Sequence, residues 1–404
     1  MLGTTSGVSV SVRVGGGPSE SSVSIAQTIV TYRGPCHTYP YPAIPSSTNM
    51  EVTSARQIVA FCMCLATAAA SSIPATAAIW QGRTLRNEQA GAVAFSWEGV
   101  QASFTVSQAS SVTMIVSSTF PHGASKFHVL VDKVLHSNVS VVGGSRSVSV
   151  QLLSNLDRST SHVVTLWSIT DPIALTWPNL PPASLEIESF SSDGLFLLPP
   201  QPKTRRLKII GDSITAGNQI DKASCQPDHW GTYGAKLCRY FDANCTTLAI
   251  SGKGLFENCC DNNVTMVELA KRVVVGDASS IFNEDLFVPD AILLNLGTND
   301  QGRNNGTAAW VAGFVAAYAD YLVSLAAMHH NPALPIFCGV GSITHDYNDW
   351  VVQAMAAAAA RGLRSLHLVN YTSVLVGCGH PGWVGHQQMF DVAQPILSMV
   401  LGWQ

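Results

Sequence analysis

Residues 207–219 read LKIIGDSITAGNQ. The run LKII stops at Gly211-Asp212-Ser213, and Gly217 follows shortly after. A short apolar run bounded by glycine reads as a buried strand. Glycine at 211 lets the chain leave that strand sharply. Ser213 then falls where strand turns into loop or helix, so its hydroxyl can be exposed. Asp212 is expected to brace the turn by accepting hydrogen bonds from local N–H groups.

The same kind of run recurs downstream. TTLAI (246–250), AILLNL (291–296), PIFCGV (335–340) and SLHLV (365–369) alternate with helical stretches at 307–330, 349–362 and 385–403. Alternating strand and helix implies a parallel sheet covered by helices on both faces. Pro395 interrupts the last helical stretch, where a kink or break is expected. Upstream the period is two instead. Phe104 and Val106 share one face, as do Val112, Met114 and Val116, then Phe127, Val129 and Val131, then Val148, Val150 and Leu152, then Leu185 and Ile187. Short alternating runs between turn residues predict an antiparallel sandwich or jelly roll over 79–197. Residues 198–204, LPPQPKT, read as a linker into the α/β domain at 205–404.

The chain has 404 residues, a formal net charge of −4 and 12% charged residues. That is about half the usual charged share, and no basic stripe marks a nucleic-acid surface. Residues 1–49 are rich in Ser, Gly, Val and Pro without helical period, and are expected to be a disordered or mis-included extension. From Met50 the layout is that of a secretory signal: Arg56, an apolar run from Ile58 to Ala70, and Ala75-Thr76-Ala77. The segment 50–78 is therefore expected to be removed, leaving a secreted protein that begins near Ala78 and has no membrane anchor. The apolar run is shorter than the roughly 20 residues a spanning helix needs. Five N-x-[ST] triplets, at Asn138, Asn244, Asn263, Asn305 and Asn370, agree with secretion. Cys225, Cys238, Cys245, Cys259 and Cys260 crowd one region, with Cys338 and Cys378 beyond. This suggests disulfides in an oxidising compartment, with at least one thiol left over or paired between chains. No paired C-x-x-C motifs suggest zinc, and no metal or cofactor is expected.

Three signals each follow one of the parallel-type strands. Gly211-Asp212-Ser213 follows LKII, Ser251-Gly252-Lys253-Gly254 follows TTLAI, and Gly297-Thr298-Asn299-Asp300 follows AILLNL. In a parallel sheet the strand ends lie along one edge, where ligands bind. The segment GCGHPGWVGH (377–386) follows the last strand and can bring His380 to that edge. Acyl transfer needs a nucleophile, a base and oxyanion donors. Ser213 is the candidate nucleophile and His380 its base, an imidazole that titrates near working pH. The backbone N–H groups of Ser213 and Gly252 and the Asn299 amide are the candidate oxyanion donors. Asn offers a neutral donor at any pH, although Asn299 could instead cap a helix and Gly252 could be a turn glycine.

These blocks resemble those of the SGNH (GDSL) hydrolase superfamily: GDS, a glycine block, GTND and a late His-Pro. A sandwich ahead of such a domain is similar to the family 2 carbohydrate esterases. The resemblance implies a flavodoxin-like α/β/α fold and removal of acetyl groups from plant-type polysaccharides. It departs at one position. The aspartate usually found three residues before the catalytic histidine is replaced by Gly377. Some family 2 esterases use a Ser-His dyad, so a main-chain carbonyl within 377–379 is expected to orient the His380 ring, with Asp300, Asp346 and Asp391 as the alternative carboxylates from elsewhere in the chain. Trp383 is a possible sugar platform, or a core residue. His386 is expected to pack or cap the terminal helix, and Lys253 to be a solvated charge. The expected partner is an acetylated polysaccharide or oligosaccharide; oligomeric state is not readable. A lipase or short-chain esterase with the same machinery, and a non-catalytic carbohydrate-binding protein, are the alternatives. No G-x-S-x-G elbow is present.

Overall fold

The structure is a computed structural model that describes residues 70–404 apart from Pro178, Asn262, Asn263, Thr372 and Ser373. The extension at 1–49, most of the expected signal and the Asn263 triplet lie outside the described residues.

The first part is an antiparallel sheet folded into a sandwich. The two-residue period dictates its core: Phe104, Val106, Val112, Met114, Val116, Phe127, Val129, Leu185 and Ile187 are all buried. The Leu185–Leu197 strand pairs at different points along its length with four other strands, and its register shifts between Ile187 and Ser189. Such a bulge lets one strand bend between layers.

The residues expected to end the signal are part of this sheet. Ala70–Pro74 is a strand whose Ser72, Ile73 and Pro74 pair with Ser191, Phe190 and Ser189. The turn Ala75–Ala77 continues it, Ala75 is fully buried, and the Trp80 indole N–H donates to the Ala75 carbonyl at 2.8 Å. Cleavage near Ala78 would strip this strand from the sheet. The described sheet thus includes residues from Ala70 onward.

Residues 198–205 carry no helix or strand and lead into a five-stranded parallel sheet. In spatial order its strands are Asn244–Ala249, Arg206–Gly211, Ala291–Asn295, Ile336–Gly341 and Leu366–Tyr371. Every residue of Ala291–Asn295 and Ile336–Gly341 is buried, as expected for strands covered on both faces. Ala308–Met328 begins at Thr307, whose hydroxyl accepts from the Trp310 N–H, and turns Trp310, Phe314, Tyr318, Leu322 and Leu325 inward at helical spacing. The last helix, Trp383–Leu401, runs through Pro395 without a break. Pro395 and Asp391 are both solvent-exposed, so the carbonyl deprived of its N–H partner is open to water.

Strand order sets the position of the site. The chain runs outward in one direction from Arg206–Gly211 and then in the other through Ala291–Asn295. Ligands of open α/β sheets bind where the order reverses, at strand C-terminal ends. Ser213 and Asn299 follow the two strands that flank that point.

Candidate active site

Ser213 is the first residue of a short helix, Ser213–Ala216, capped at its start by Asp212 and ended by left-handed Gly217. The Asp212 carboxylate accepts from the Ile214 N–H at 3.0 Å, which is the bracing expected from sequence. Gly211 is required because a Cβ there would meet the Thr215 hydroxyl at 2.0 Å. As the first helical residue, Ser213 has a backbone N–H with no acceptor inside the helix.

The hairpin formed by Val376–Gly377 and His380–Pro381 carries the histidine. His380 Nε2 lies 2.8 Å from Ser213 Oγ. Burial lowers the His380 pKa from its ordinary value, which keeps the ring a neutral acceptor at working pH. The ring's other nitrogen faces a group that sequence reading did not single out: His380 Nδ1 donates to Gln219 Oε1 at 2.8 Å. This corrects the expected main-chain carbonyl of 377–379, since Gly377 and His380 pair with one another across the hairpin. None of the candidate aspartates serves instead. Asp300 accepts from the N–H groups of Leu255, Phe256 and Glu257, Asp346 holds Gln301 and Thr344, and Asp391 accepts from Gln387. Gln219 has φ 54°, a turn conformation that returns its side chain toward the hairpin. The Cys225–Cys378 disulfide joins the same two segments.

Ser213, His380, Gly252 and Asn299 line one cavity of about 380 Å³. Gly252 adopts φ 80°, and no described residue accepts its N–H. Asn299 Nδ2 donates to the Lys253 carbonyl at 2.9 Å and reaches Asp212 Oδ2 at 3.3 Å, so its amide is oriented before any ligand enters. Asp212 is fully buried, and its pKa is raised to about 7 by burial and then by Asp300. Lys253 is not a solvated charge: it is buried and paired with Asp261 at 2.8 Å. His386 packs as expected, stacked on Tyr233 and accepting that residue's N–H at 3.2 Å.

The sandwich supplies part of the same cavity through Asp171, Ile173, Ala174 and Trp177. Asp171 accepts from the Ser251 N–H and hydroxyl, tying the glycine loop to the first domain. Behind it, Glu98 is fully buried, with its carboxyl pushed well above the usual carboxylate range by burial and then by Asp171. Trp383 does not line this cavity. Its ring lies on Gly231, where a Cβ would approach it to 2.0 Å, and it borders a neighbouring groove with His128 and Asp228.

The disulfides are Cys225–Cys378, Cys238–Cys245 and Cys259–Cys260, and Cys338 remains a buried free thiol. Among the described residues one of seven cysteines is thus left over, as expected.

Residues 209–387 match the GDSL-like lipase/acylhydrolase family. The chain is 26% identical over 276 residues to the cellulase/esterase CelE of Acetivibrio thermocellus; this covers 63% of the chain but only 32% of that protein. Among solved structures, the chain is similar to a family two carbohydrate esterase from Clostridium thermocellum in complex with cellohexaose. That match has a TM-score of 0.72 and 22% identity, and covers 81% of this chain and 100% of that one. A family two carbohydrate esterase from Cellvibrio japonicus gives 0.71 and 19%, covering 82% and 98%. An acetyl xylan esterase from the rumen bacterium Butyrivibrio proteoclasticus also gives 0.71 and 19%, covering 82% and 97%. At these identities the likeness is one of fold. Residues 209–387 thus match the GDSL-like lipase/acylhydrolase family, and the chain shares its fold with these carbohydrate esterase structures.

Proposed function

We propose that the chain is a serine esterase that removes acetyl groups from carbohydrate. The observation that carries this reading is the 2.8 Å contact of Ser213 Oγ with His380 Nε2 in a cavity shared with Gly252 and Asn299. His380 takes the Ser213 proton as Oγ attacks the ester carbonyl carbon. Negative charge on the carbonyl oxygen is met by the N–H groups of Ser213 and Gly252 and by the Asn299 amide, which turns the N–H it shares with Asp212 Oδ2 toward the oxyanion and keeps its bond to the Lys253 carbonyl. The tetrahedral intermediate collapses as His380 returns its proton to the departing sugar oxygen. Water, activated by the same imidazole, then releases acetate and restores Ser213.

Gln219 is a positioning residue in this scheme. Its carbonyl oxygen accepts the Nδ1 proton, so Nε2 is the free base. A neutral amide fixes the tautomer but stabilises the imidazolium less than a carboxylate would. Secretion belongs to the same proposal. The strand that begins at Ala70 supports cleavage at or upstream of that residue, which N-terminal sequencing of secreted material would check.

The test is ester hydrolysis by the purified chain on p-nitrophenyl acetate, butyrate and hexanoate, and on acetylated xylan and mannan. Acetate release from a glycan with little action on the longer esters is expected. A preference for hexanoate would favour a lipase. Binding of glycan without turnover of any ester would contradict the catalytic reading.

A further inference from the structure

Cys259 and Cys260 are neighbours in sequence and are bonded to each other. A disulfide stabilises mainly by closing a long loop in the unfolded chain. Cys225–Cys378 spans 153 residues and has that use; a bond between adjacent residues does not. Nor does the local fold require it. The segment 251–261 is already held by the Lys253–Asp261 ion pair, by the Asn258 side chain accepting the Gly254 N–H at 3.1 Å, and by three backbone N–H groups on Asp300. What the bond changes is the surface presented. Two thiols that could ionise and donate become one small, rigid, polarisable apolar tab with no donor and no charge at any pH.

That tab lies in the catalytic cavity. Both cysteines line it together with Ser213, Gly252, Asn299 and His380. The Cys259 N–H donates to the Gly252 carbonyl at 3.1 Å, and a Cβ on Gly252 would sit 3.4 Å from Cys259 Sγ and 3.9 Å from Cys260 Sγ. Cys260 is exposed, and so is Trp177, at 55%, which reaches the same cavity from the sandwich domain. Two apolar groups from different domains, open to solvent beside a nucleophile, call for a ligand with apolar faces. Acetyl is too small to cover both, whereas a sugar ring presents broad C–H faces.

We propose that the Cys259–Cys260 disulfide, with Trp177, is the wall against which the sugar ring of the substrate lies. This rests on the esterase reading of Ser213. The variant Cys259→Ala/Cys260→Ala and the variant Trp177→Ala would each be assayed on an acetylated xylo-oligosaccharide and on p-nitrophenyl acetate. The ratio of kcat/KM on the oligosaccharide to that on the aryl ester should fall about three- to tenfold, the range for one sulfur or aromatic contact, mostly through KM. An equal loss on both esters would make the disulfide a brace for the Gly252 loop and overturn the proposal. An altered acyl-length preference at constant ratio would place it against the acyl group and also overturn it. No change in either assay would do the same. Inactivity of the parent protein on every ester would instead defeat the esterase reading. Should the cysteine variant fail to fold, the intact protein supplies a second test. Saturating xylohexaose or cellohexaose should slow phosphine reduction of Cys259–Cys260, followed by mass spectrometry, relative to reduction of Cys225–Cys378. Equal reduction with and without both sugars would refute the contact.

Discussion

The catalytic cavity has two kinds of lining. Ser213, Gly252 and Asn299 each follow a parallel strand, at positions dictated by local backbone geometry: a capped helix start, a left-handed glycine and a short helix after Gly297. Asp171, Ile173, Trp177 and the Cys259–Cys260 pair come from the sandwich and from a loop folded back on itself. In the proposed reaction the first lining carries the reacting groups and the second shapes what they meet. Strand-end positions recur wherever this sheet is built, whereas walls depend on how one domain packs on another. Chemistry is therefore expected to fail abruptly when the first lining is altered, and preference to drift when the second is.

The largest effect should come from Ser213→Ala, with kcat on p-nitrophenyl acetate falling about 10⁴- to 10⁶-fold in initial-rate assays. A residual rate near that of the parent would place the nucleophile elsewhere. Asn299→Ala should cost about 100- to 1000-fold in kcat with a smaller change in KM, as for loss of one oxyanion donor. A pure KM effect would reduce Asn299 to a binding or capping residue. Gln219→Ala should lower kcat about tenfold or more, as part of the general-base contribution. Gln219→Glu sharpens the point through pH. In the parent, burial lowers the His380 pKa, and only neutral imidazole is active, so kcat/KM should fall on the acid side below the ordinary histidine value. A carboxylate at Nδ1 favours imidazolium, so the acid limb should move to higher pH. An unmoved limb would remove Gln219 from the relay. Replacing Cys225 and Cys378 by alanine should cost about 2–5 kcal/mol of stability, seen as a lower Tm. A loss of kcat should accompany it, because that bond joins the Gln219 segment to the His380 hairpin.

Much of this was legible in residue order. Period-two alternation at 104–187 and the apolar runs after 206 specify both sheets, and three glycine-bearing signals mark one sheet edge. The partner of His380 Nδ1 was not legible. Gln219 ends the very stretch that begins with the nucleophile's strand, but it meets His380 across 161 residues through a positive-φ turn and a distant disulfide. A search confined to carboxylates and to residues near 380 cannot find a glutamine. Lys253 misled for a related reason: its charge is buried because Asp261 folds under it, a pairing visible only in three dimensions. Ala75-Thr76-Ala77 fits a cleavage pattern as short small residues do, and equally fits a tight turn whose first alanine is buried in the sandwich.

The central claim, that His380 activates Ser213, is tested most directly by labelling with a phosphonate ester and mapping the adduct by mass spectrometry. The account predicts one phosphonylated residue, Ser213, with labelling slowed by several orders of magnitude in His380→Ala. An adduct on another residue, or labelling of Ser213 at the same rate without the imidazole, would contradict it.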